Sequence, residues 1–380
     1  MEVGRVGKKY LIMKILIVGA GFAGAVFGRL AAENGFEVDI IDNRSHIGGN
    51  CFSYADEETG VEIHKYGPHI FHTNNKKVWD FVNRFSDFNN YVNRVKAVSN
   101  GAIYSLPINL GTINQFFRRT MSPKLAEQFI REKRILINPI NNLEDHILNS
   151  LGKELYEAFY KYYTIKQWGV DPREIPVSIA KRLPIRYNYN DNYFNDQFQG
   201  IPVNGYTVLF KRMLDLNNIK IMLNTSFDEF RTIWRGKYSH LVFCGSLDDY
   251  FKYEFGDLEY RTVSFEEIRD KEIQGNAVIN YTDESVKFTR IHEHKWFTPE
   301  KSFDYSVGFK EYASATTSRN APYYPISNDQ TKLLYSSYQQ LADKETDVIF
   351  IGRLANYKYY DMHQVIALSI KKFNKWISNY

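Results

Sequence analysis

Gly19-Ala20-Gly21-Phe22-Ala23-Gly24 is followed, 23 residues after Gly19, by Asp42. This is the spacing of glycines and an acid that can hold a pyrophosphate and a ribose. The glycines have separate duties: a tight turn, backbone approach to the diphosphate, and close packing of a helix on a strand. N–H groups at the start of that helix supply donors and a positive dipole end for phosphate, and Asp42 can accept hydrogen bonds from ribose hydroxyls. A second glycine pair lies in Arg44-Ser45-His46-Ile47-Gly48-Gly49-Asn50, where the chain can pass close to an extended cofactor. Near the C-terminus come Gly352-Arg353 and then Tyr359-Tyr360-Asp361-Met362-His363-Gln364, opening a final helix. The N-terminus of that helix can face a flavin ring and its negative charge when reduced. FAD needs more of the chain than NAD, so three separated segments point to FAD.

The elements that must position these residues read as follows. Lys14–Val18 is a short β-branched apolar run, a helical pattern runs on to about Asn34-Gly35, and residues 38–41 form the next strand before Asp42. Strands of the same type return at 219–223, 240–244 and 348–351, with a helical pattern over 205–216 before the first. The sheet therefore resumes after a long interruption. Residues 106–184 hold helical segments such as 123–132 and 143–163, with breaks at Pro139 and Pro172. Runs at 277–281 and 286–291 predict an antiparallel sheet unit within 251–309. The fold class is α/β: an FAD-binding Rossmann-like parallel sheet with an inserted helical domain and an antiparallel sheet domain. The expected boundaries are 1–88, 205–246 and 330–380 for the discontinuous cofactor domain. They are 107–190 for the helical domain, and 89–106, 191–204 and 247–329 for the sheet domain that takes substrate.

Composition excludes other classes. At 380 residues the chain can bury two or three cores. Its 48 Lys and Arg against 44 Asp and Glu leave a charge of +4, too small and dispersed for a nucleic-acid footprint. The apolar run from Leu11 to Ala32 is interrupted by Lys14, Arg29 and four glycines, so it reads as strand, turn and helix rather than as a membrane span or export signal. Residues 1–12 read as an extension or upstream start before Met13. The two cysteines, Cys51 and Cys244, fit no disulfide framework or zinc ribbon, which suits a reducing, cytoplasmic setting, and both read as small buried apolar residues. His64, His69 and His72 tempt a metal reading, but their spacing lacks a zinc signature and Glu62 is the only acid near, so no metal is expected. His292-Glu293-His294 reads as a half-exposed strand. The 28 Tyr, 27 Phe and 5 Trp make 16% of the chain, an excess that suits a cleft stacking planar groups and bonding polar ones. A codon-biased genome would produce the same excess, so position must decide.

Longer segments carry a resemblance. His64-Lys65-Tyr66-Gly67-Pro68-His69-Ile70-Phe71-His72-Thr73, Tyr163-Thr164-Ile165-Lys166-Gln167-Trp168-Gly169, Gln199-Gly200-Ile201-Pro202 and Gly275-Asn276-Ala277-Val278-Ile279-Asn280 are four of them. With the run from Gly352 to Gln364, they resemble, in order from Met13 to the C-terminus, the motifs of bacterial UDP-galactopyranose mutases. The resemblance implies a homodimeric flavoenzyme, an isomerase of the intramolecular-transferase kind, working in galactofuranose biosynthesis. It implies interconversion of UDP-galactopyranose and UDP-galactofuranose without net oxidation, on reduced FAD, through a covalent flavin N5–sugar adduct.

It also implies roles, position by position. Arg182 and Arg290 match the two arginines that clamp the leaving diphosphate, and His69 lies against the flavin. The cofactor set is Gly19, Gly21, Phe22, Ala23, Gly24, Asp42, Arg44, Gly49, Asn50, His69, Ile70, Arg353, Tyr360, Asp361, Met362, His363 and Gln364. Tyr163, Thr164 and Trp168 match the face that holds uracil, and Tyr193, Tyr324 and Tyr359 match tyrosines reaching phosphate or sugar. Asn93 and Asn280 match asparagines near the pocket, and Arg261 a further nucleotide contact. Residues 169–176 suit a mobile loop closing over substrate. Arg94-Val95-Lys96-Ala97, on the sugar side, departs from other members' sequences and leaves related sugars and nucleotides open. Two alternatives stand beside the leading reading: a mutase for another nucleotide sugar, and a flavin oxidoreductase of the amine-oxidase fold class.

Overall fold

The computed structural model describes residues 13–180, 184–317, 321–326 and 328–380. Lys14–Val18 is the centre of a five-stranded parallel sheet, and Ile15, Leu16 and Ile17 are wholly buried. Across the sheet the order is Val348–Phe350, His240–Phe243, Lys14–Val18, Glu37–Ile41, Ile219–Met222. The central strands, buried on both faces, read as continuous apolar runs, which is why they were legible. Because all five strands run the same way, Gly19, Asp42, Cys244 and the Gly352 turn arrive together at one edge, the carboxyl edge where open α/β sheets bind ligands.

Helix Phe22–Glu33 covers one face. A β-carbon at Gly24 would lie 2.0 Å from the Gly19 carbonyl oxygen, and one at Gly28 would lie 3.1 Å from Ile17. Only glycine lets the helix sit this low on the strand. The C-terminal helix Met362–Ile377 packs beside it through Phe373 and Trp376, each 5.4 Å from the Phe27 ring. Ser369 donates to the Ala23 carbonyl at 3.0 Å. No helix among the described residues is long and apolar enough to cross a membrane.

A second sheet of seven strands runs Tyr324–Pro325, Tyr260–Asp270, Ser306–Ala315, Arg290–Glu293, Val278–Tyr281, Val95–Ser99, Ala102–Leu106. Its neighbours are antiparallel except Val278–Tyr281 and Val95–Ser99, which pair in parallel. Two expectations change here. The strand predicted over 286–291 begins only at Arg290, because Asp283, Glu284 and Ser285 turn the chain first. The residues His292, Glu293 and His294 are fully buried rather than half exposed, since this strand lies inside the sheet.

The helical run predicted over 143–163 is also divided. Gly152 breaks it at φ +84°, and a β-carbon there would lie 2.4 Å from the Lys133 carbonyl oxygen. The result is Leu143–Leu151, Lys153–Tyr156, a π-helical turn at Glu157–Lys161, and Tyr162–Trp168. These helices pack on the edge of the second sheet, with Pro123–Lys133 beside them.

Gly24→Ala would drive the first helix off its strand. We expect a loss of about 2–3 kcal/mol in unfolding free energy, the cost of overpacking a rigid contact, read from the urea midpoint. An unchanged midpoint would show that the helix can shift freely.

Candidate functional site

At the carboxyl edge the chain builds a cradle. Gly19, at φ +107°, turns the chain so that Gly21 precedes the helix. A β-carbon on Gly49 would come within 3.1 Å of the Gly21 α-carbon, so the two glycine loops nearly touch. Beside them opens a cavity of about 790 Å³. Asp42 closes one end: its Oδ2 accepts from the Ala20 N–H at 2.8 Å and its Oδ1 from the Arg44 N–H at 2.9 Å, leaving lone pairs for further donors. Arg44 lines the cavity, lies 4.8 Å from the Tyr66 ring, and has a buried Nη1 without a hydrogen-bond partner among the described residues. An unpaired guanidinium nitrogen and a glycine-walled trough fit an elongated anionic dinucleotide.

The predicted cofactor residues divide when placed. Gly19, Gly21, Phe22, Ala23, Asn50, His69, Arg353, Tyr360 and Met362 line the cavity with Asp42, Arg44 and Gly49. Gly24 lies behind it, spacing helix from strand, and Ile70 is packed in the core under the second sheet. Asp361 and Gln364 form the capping box of the last helix, the Asp361 N–H donating to Gln364 Oε1 at 2.9 Å. His363 turns toward His72, ring centroids 5.0 Å apart. His72, Asp361 and His363 bring ligating atoms within 4.8 Å of one another, a grouping invisible in the sequence, while His72 Nδ1 is held by Asp196 at 2.6 Å.

His69 lines the same cavity. Its Nδ1 lies 2.7 Å from the Gly67 carbonyl, which can only accept, so the proton is on Nδ1 and the lone pair on Nε2. Burial holds its pKa down to about 4, and Arg353 and Arg290 nearby also disfavour the cation.

Arg290 lies near His69, outside the cavity lining. Glu311, only 1% exposed, holds it through Oε2, 2.9 Å from Nε and 2.8 Å from Nη2. Burial is the strongest single influence and works against the charge on Arg290, but the Glu311 carboxylate together with the nearby Tyr163 and Tyr324 outweighs it, so the guanidinium stays charged. Tyr324 stacks on Tyr359 with centroids 5.5 Å apart, and the Trp168 ring is 6.3 Å from Tyr324. Arg353 lies 5.4 and 5.1 Å from the two stacked tyrosine rings and donates to the Tyr360 carbonyl at 2.6 Å. Burial raises the Tyr163 and Tyr324 hydroxyls far above their usual range, so both remain donors.

Asn280 stands directly across from Arg290 in the sheet. Asn93 accepts from Tyr91 Oη at 3.2 Å, and its carbonyl accepts from the Tyr193 N–H at 2.8 Å, which brings Tyr193 alongside. Thr164 is buried on the helix between Tyr163 and Trp168. Arg261 spends its guanidinium on that helix's end, donating to the Gln167 carbonyl at 3.1 Å and the Lys166 carbonyl at 3.2 Å. Arg182 lies outside the described residues. In the loop 169–176 the chain forms a short turn at Pro172–Glu174, capped by Asp171.

The sequence reading missed Glu311, Lys166 and Arg186. Arg186 donates to the Asn190 and Asn192 carbonyls at 3.0 and 2.5 Å and so shapes the loop carrying Tyr193. Glu311 carried no clear signal, because in Ser306–Ala315 it stands next to Lys310 and reads as one of an ordinary pair of surface charges. Cys51 packs as predicted, and burial pushes its thiol up to about 12; Cys244 is only partly buried and backs Gly19.

A glycine-walled cradle at a parallel sheet edge, with Arg290 and a group of tyrosines near it, defines an α/β protein of the dinucleotide-binding kind. Residues 158–359 match the UDP-galactopyranose mutase family, and residues 17–85 match a NAD(P)-binding Rossmann-like domain. A Klebsiella pneumoniae protein named "Probable UDP-galactopyranose mutase" is 48% identical, over 96% of this chain and 95% of its own. An Escherichia coli dTDP-fucopyranose mutase is 45% identical over 96% of this chain and 99% of its own. A crystal structure of reduced UDP-galactopyranose mutase superposes with a TM-score of 0.73 over 97% of this chain and 96% of that one, at 14% identity. The chain belongs to the UDP-galactopyranose mutase family and is an isomerase.

Two outcomes follow from the buried charges. Glu311→Ala leaves Arg290 without its counter-ion and should cost about 3–5 kcal/mol of stability, read by denaturant unfolding; a loss below 1 kcal/mol would mean Arg290 relaxes to solvent. His69 and His294, both held near 4 by burial, are neutral when folded and charge when unfolded. Between pH 6.5 and 4 the unfolded chain therefore binds more protons, and stability falls as pH falls. Within that window each histidine should contribute a slope approaching ~1.4 kcal/mol per pH unit, and above pH 6.5 the slope vanishes with the stability present in full. Urea midpoints between pH 7 and 5 test this, and His294→Phe should flatten the slope.

Proposed function

We propose that this chain interconverts UDP-galactopyranose and UDP-galactofuranose, with FAD in the carboxyl-edge cavity and the sugar nucleotide in the adjoining cleft. The observation that carries this reading is the junction itself. His69 and Arg353 line the cofactor cavity, while Arg290 lies near His69 and the Tyr324–Tyr359 pair stacks near Arg353. Reduced FAD, when bound, supplies the nucleophilic nitrogen N5 that meets the anomeric carbon, and the isomerisation involves no net oxidation.

The residues of the chain do the rest. Gly21, Gly49 and Arg44 hold the cofactor's diphosphate, and Asp42 its ribose. Arg290, kept charged by Glu311, and Arg182 stabilise the negative charge that gathers on the leaving diphosphate. Tyr324 and Tyr359 donate to the same group, while Tyr163, Thr164 and Trp168 seat the uracil. His69 stays neutral at working pH and presents Nε2 as an acceptor toward the cofactor, so it adds no cation beside the arginines. The exposed Leu125, Ile135 and Leu136 of the inserted helical segment support association of two copies.

A second reading is favoured by one finding: the dTDP-fucopyranose mutase is almost as similar as the galactose enzyme. Incubating chemically reduced and oxidised protein with UDP-galactose and dTDP-fucose, and reading ring form by NMR, separates the two. We expect furanose product from UDP-galactose with reduced protein alone. Product only from dTDP-fucose would move the assignment to that sugar, and no furanose from either would overturn it. Arg290→Ala and Arg182→Ala should each lower turnover by about 100-fold or more while retaining bound FAD; unchanged turnover in either would remove that arginine from the diphosphate.

A further inference from the structure

The helix Tyr162–Trp168 is fastened to the second sheet by one ammonium group. Lys166 Nζ lies 2.6 Å from the Tyr281 carbonyl oxygen, 3.0 Å from Asp283, 2.9 Å from Val286 and 3.2 Å from Phe288. An ammonium has three N–H donors, so four carbonyls share three protons in a closed cage. The Asp283 side chain is engaged elsewhere, its Oδ1 accepting from the Asn100 N–H at 2.8 Å. Burial lowers the Lys166 ammonium to about 8, with Asp283 pulling weakly the other way, as expected of a cation held mainly by main-chain dipoles.

The four carbonyls belong to one connection, residues 281–288. It leaves the strand that carries Asn280 and enters the strand that carries Arg290. The first of these carbonyls ends one strand, the other three lie in the turn that follows, and the next strand starts at Arg290. The same end of the helix is also gripped from another strand, where Arg261 binds the Lys166 and Gln167 carbonyls. Gly169 makes room for it, since a β-carbon there would lie 2.4 Å from Arg261 Nη1. The helix that bears Tyr163, Thr164 and Trp168 is thus tied directly to the turn that sets where Arg290 stands.

We propose that Lys166 is a positioning residue that couples the nucleobase-facing helix to the diphosphate arginine: by caging the 281–288 connection it fixes the placement of Arg290, so base and diphosphate are recognised as one unit. This rests on the nucleotide-sugar reading of the cleft given above. A merely structural lysine would lower stability and leave the two recognition elements independent.

The test is a double-mutant cycle on UDP affinity, measured by titrating the FAD-containing enzyme with UDP. The variants are Lys166→Met, Arg290→Ala and the pair, with FAD content and unfolding midpoint as controls. Lys166→Met should weaken UDP about tenfold in the parent enzyme and less than twofold when Arg290 is already Ala. Equal losses in both backgrounds, or no loss in the parent, would overturn the coupling. Lys166→Gln, which keeps a donor, provides the same cycle if the Met variant loses its fold. Failure of the parent enzyme to bind UDP would instead overturn the nucleotide-sugar reading, and the coupling with it.

Discussion

The closeness of one helix to one strand governs the rest of this molecule. Gly24 rests against the Gly19 carbonyl with no room for a single extra carbon, and one turn on Gly28 lies close over the side chains of Ile17 and Ile40. That spacing aims the first N–H groups of Phe22–Glu33 over the ends of the parallel strands, where Asp42, the Gly49 loop and the Gly352 turn converge. The C-terminal helix then packs on the first through Phe27, and its own start reaches the same edge from the opposite end of the chain. Three distant segments share a cavity because one interval between main chains is as small as it can be.

The second sheet solves a different problem, that of keeping cations out of water. Arg290 has one buried carboxylate, Lys166 four carbonyls, and Arg261 the open carbonyls of a helix end. Such arrangements add little net stability compared with an apolar core, because desolvation offsets most of the attraction. What they provide is direction: a guanidinium held at Nε and Nη2 has one orientation left for an incoming anion. Lys166 and Arg261 aim main chain in the same way that Glu311 aims a side chain.

What the sequence disclosed, and what it withheld, follows from range. The glycine turn, Asp42 and the apolar strands were legible because their causes lie within a few residues, in φ, in the absence of a β-carbon and in burial on both faces. Glu311 and Lys166 were not, because each matters only through partners 21 and more than 100 residues away. The burial of His292 and His294 was misread for the same reason: a strand's place within a sheet is set by neighbours, not by its own alternation. Gly152 was passed over inside the helical run expected over 143–163, because the Lys133 carbonyl that stands against it comes from another helix. Ile70 and Gly24 sat inside true motifs and serve packing, so a motif located the neighbourhood without sorting contact from support.

Arg353 gives the two ligand spaces a common wall. It lines the cofactor cavity, binds the Tyr360 carbonyl and lies under the stacked rings of Tyr324 and Tyr359. A wall shared in this way cannot be altered on one side alone. The guanidinium that borders the cavity is the same group on which the two tyrosine rings rest, so a change of side chain at 353 would reshape both surfaces at once.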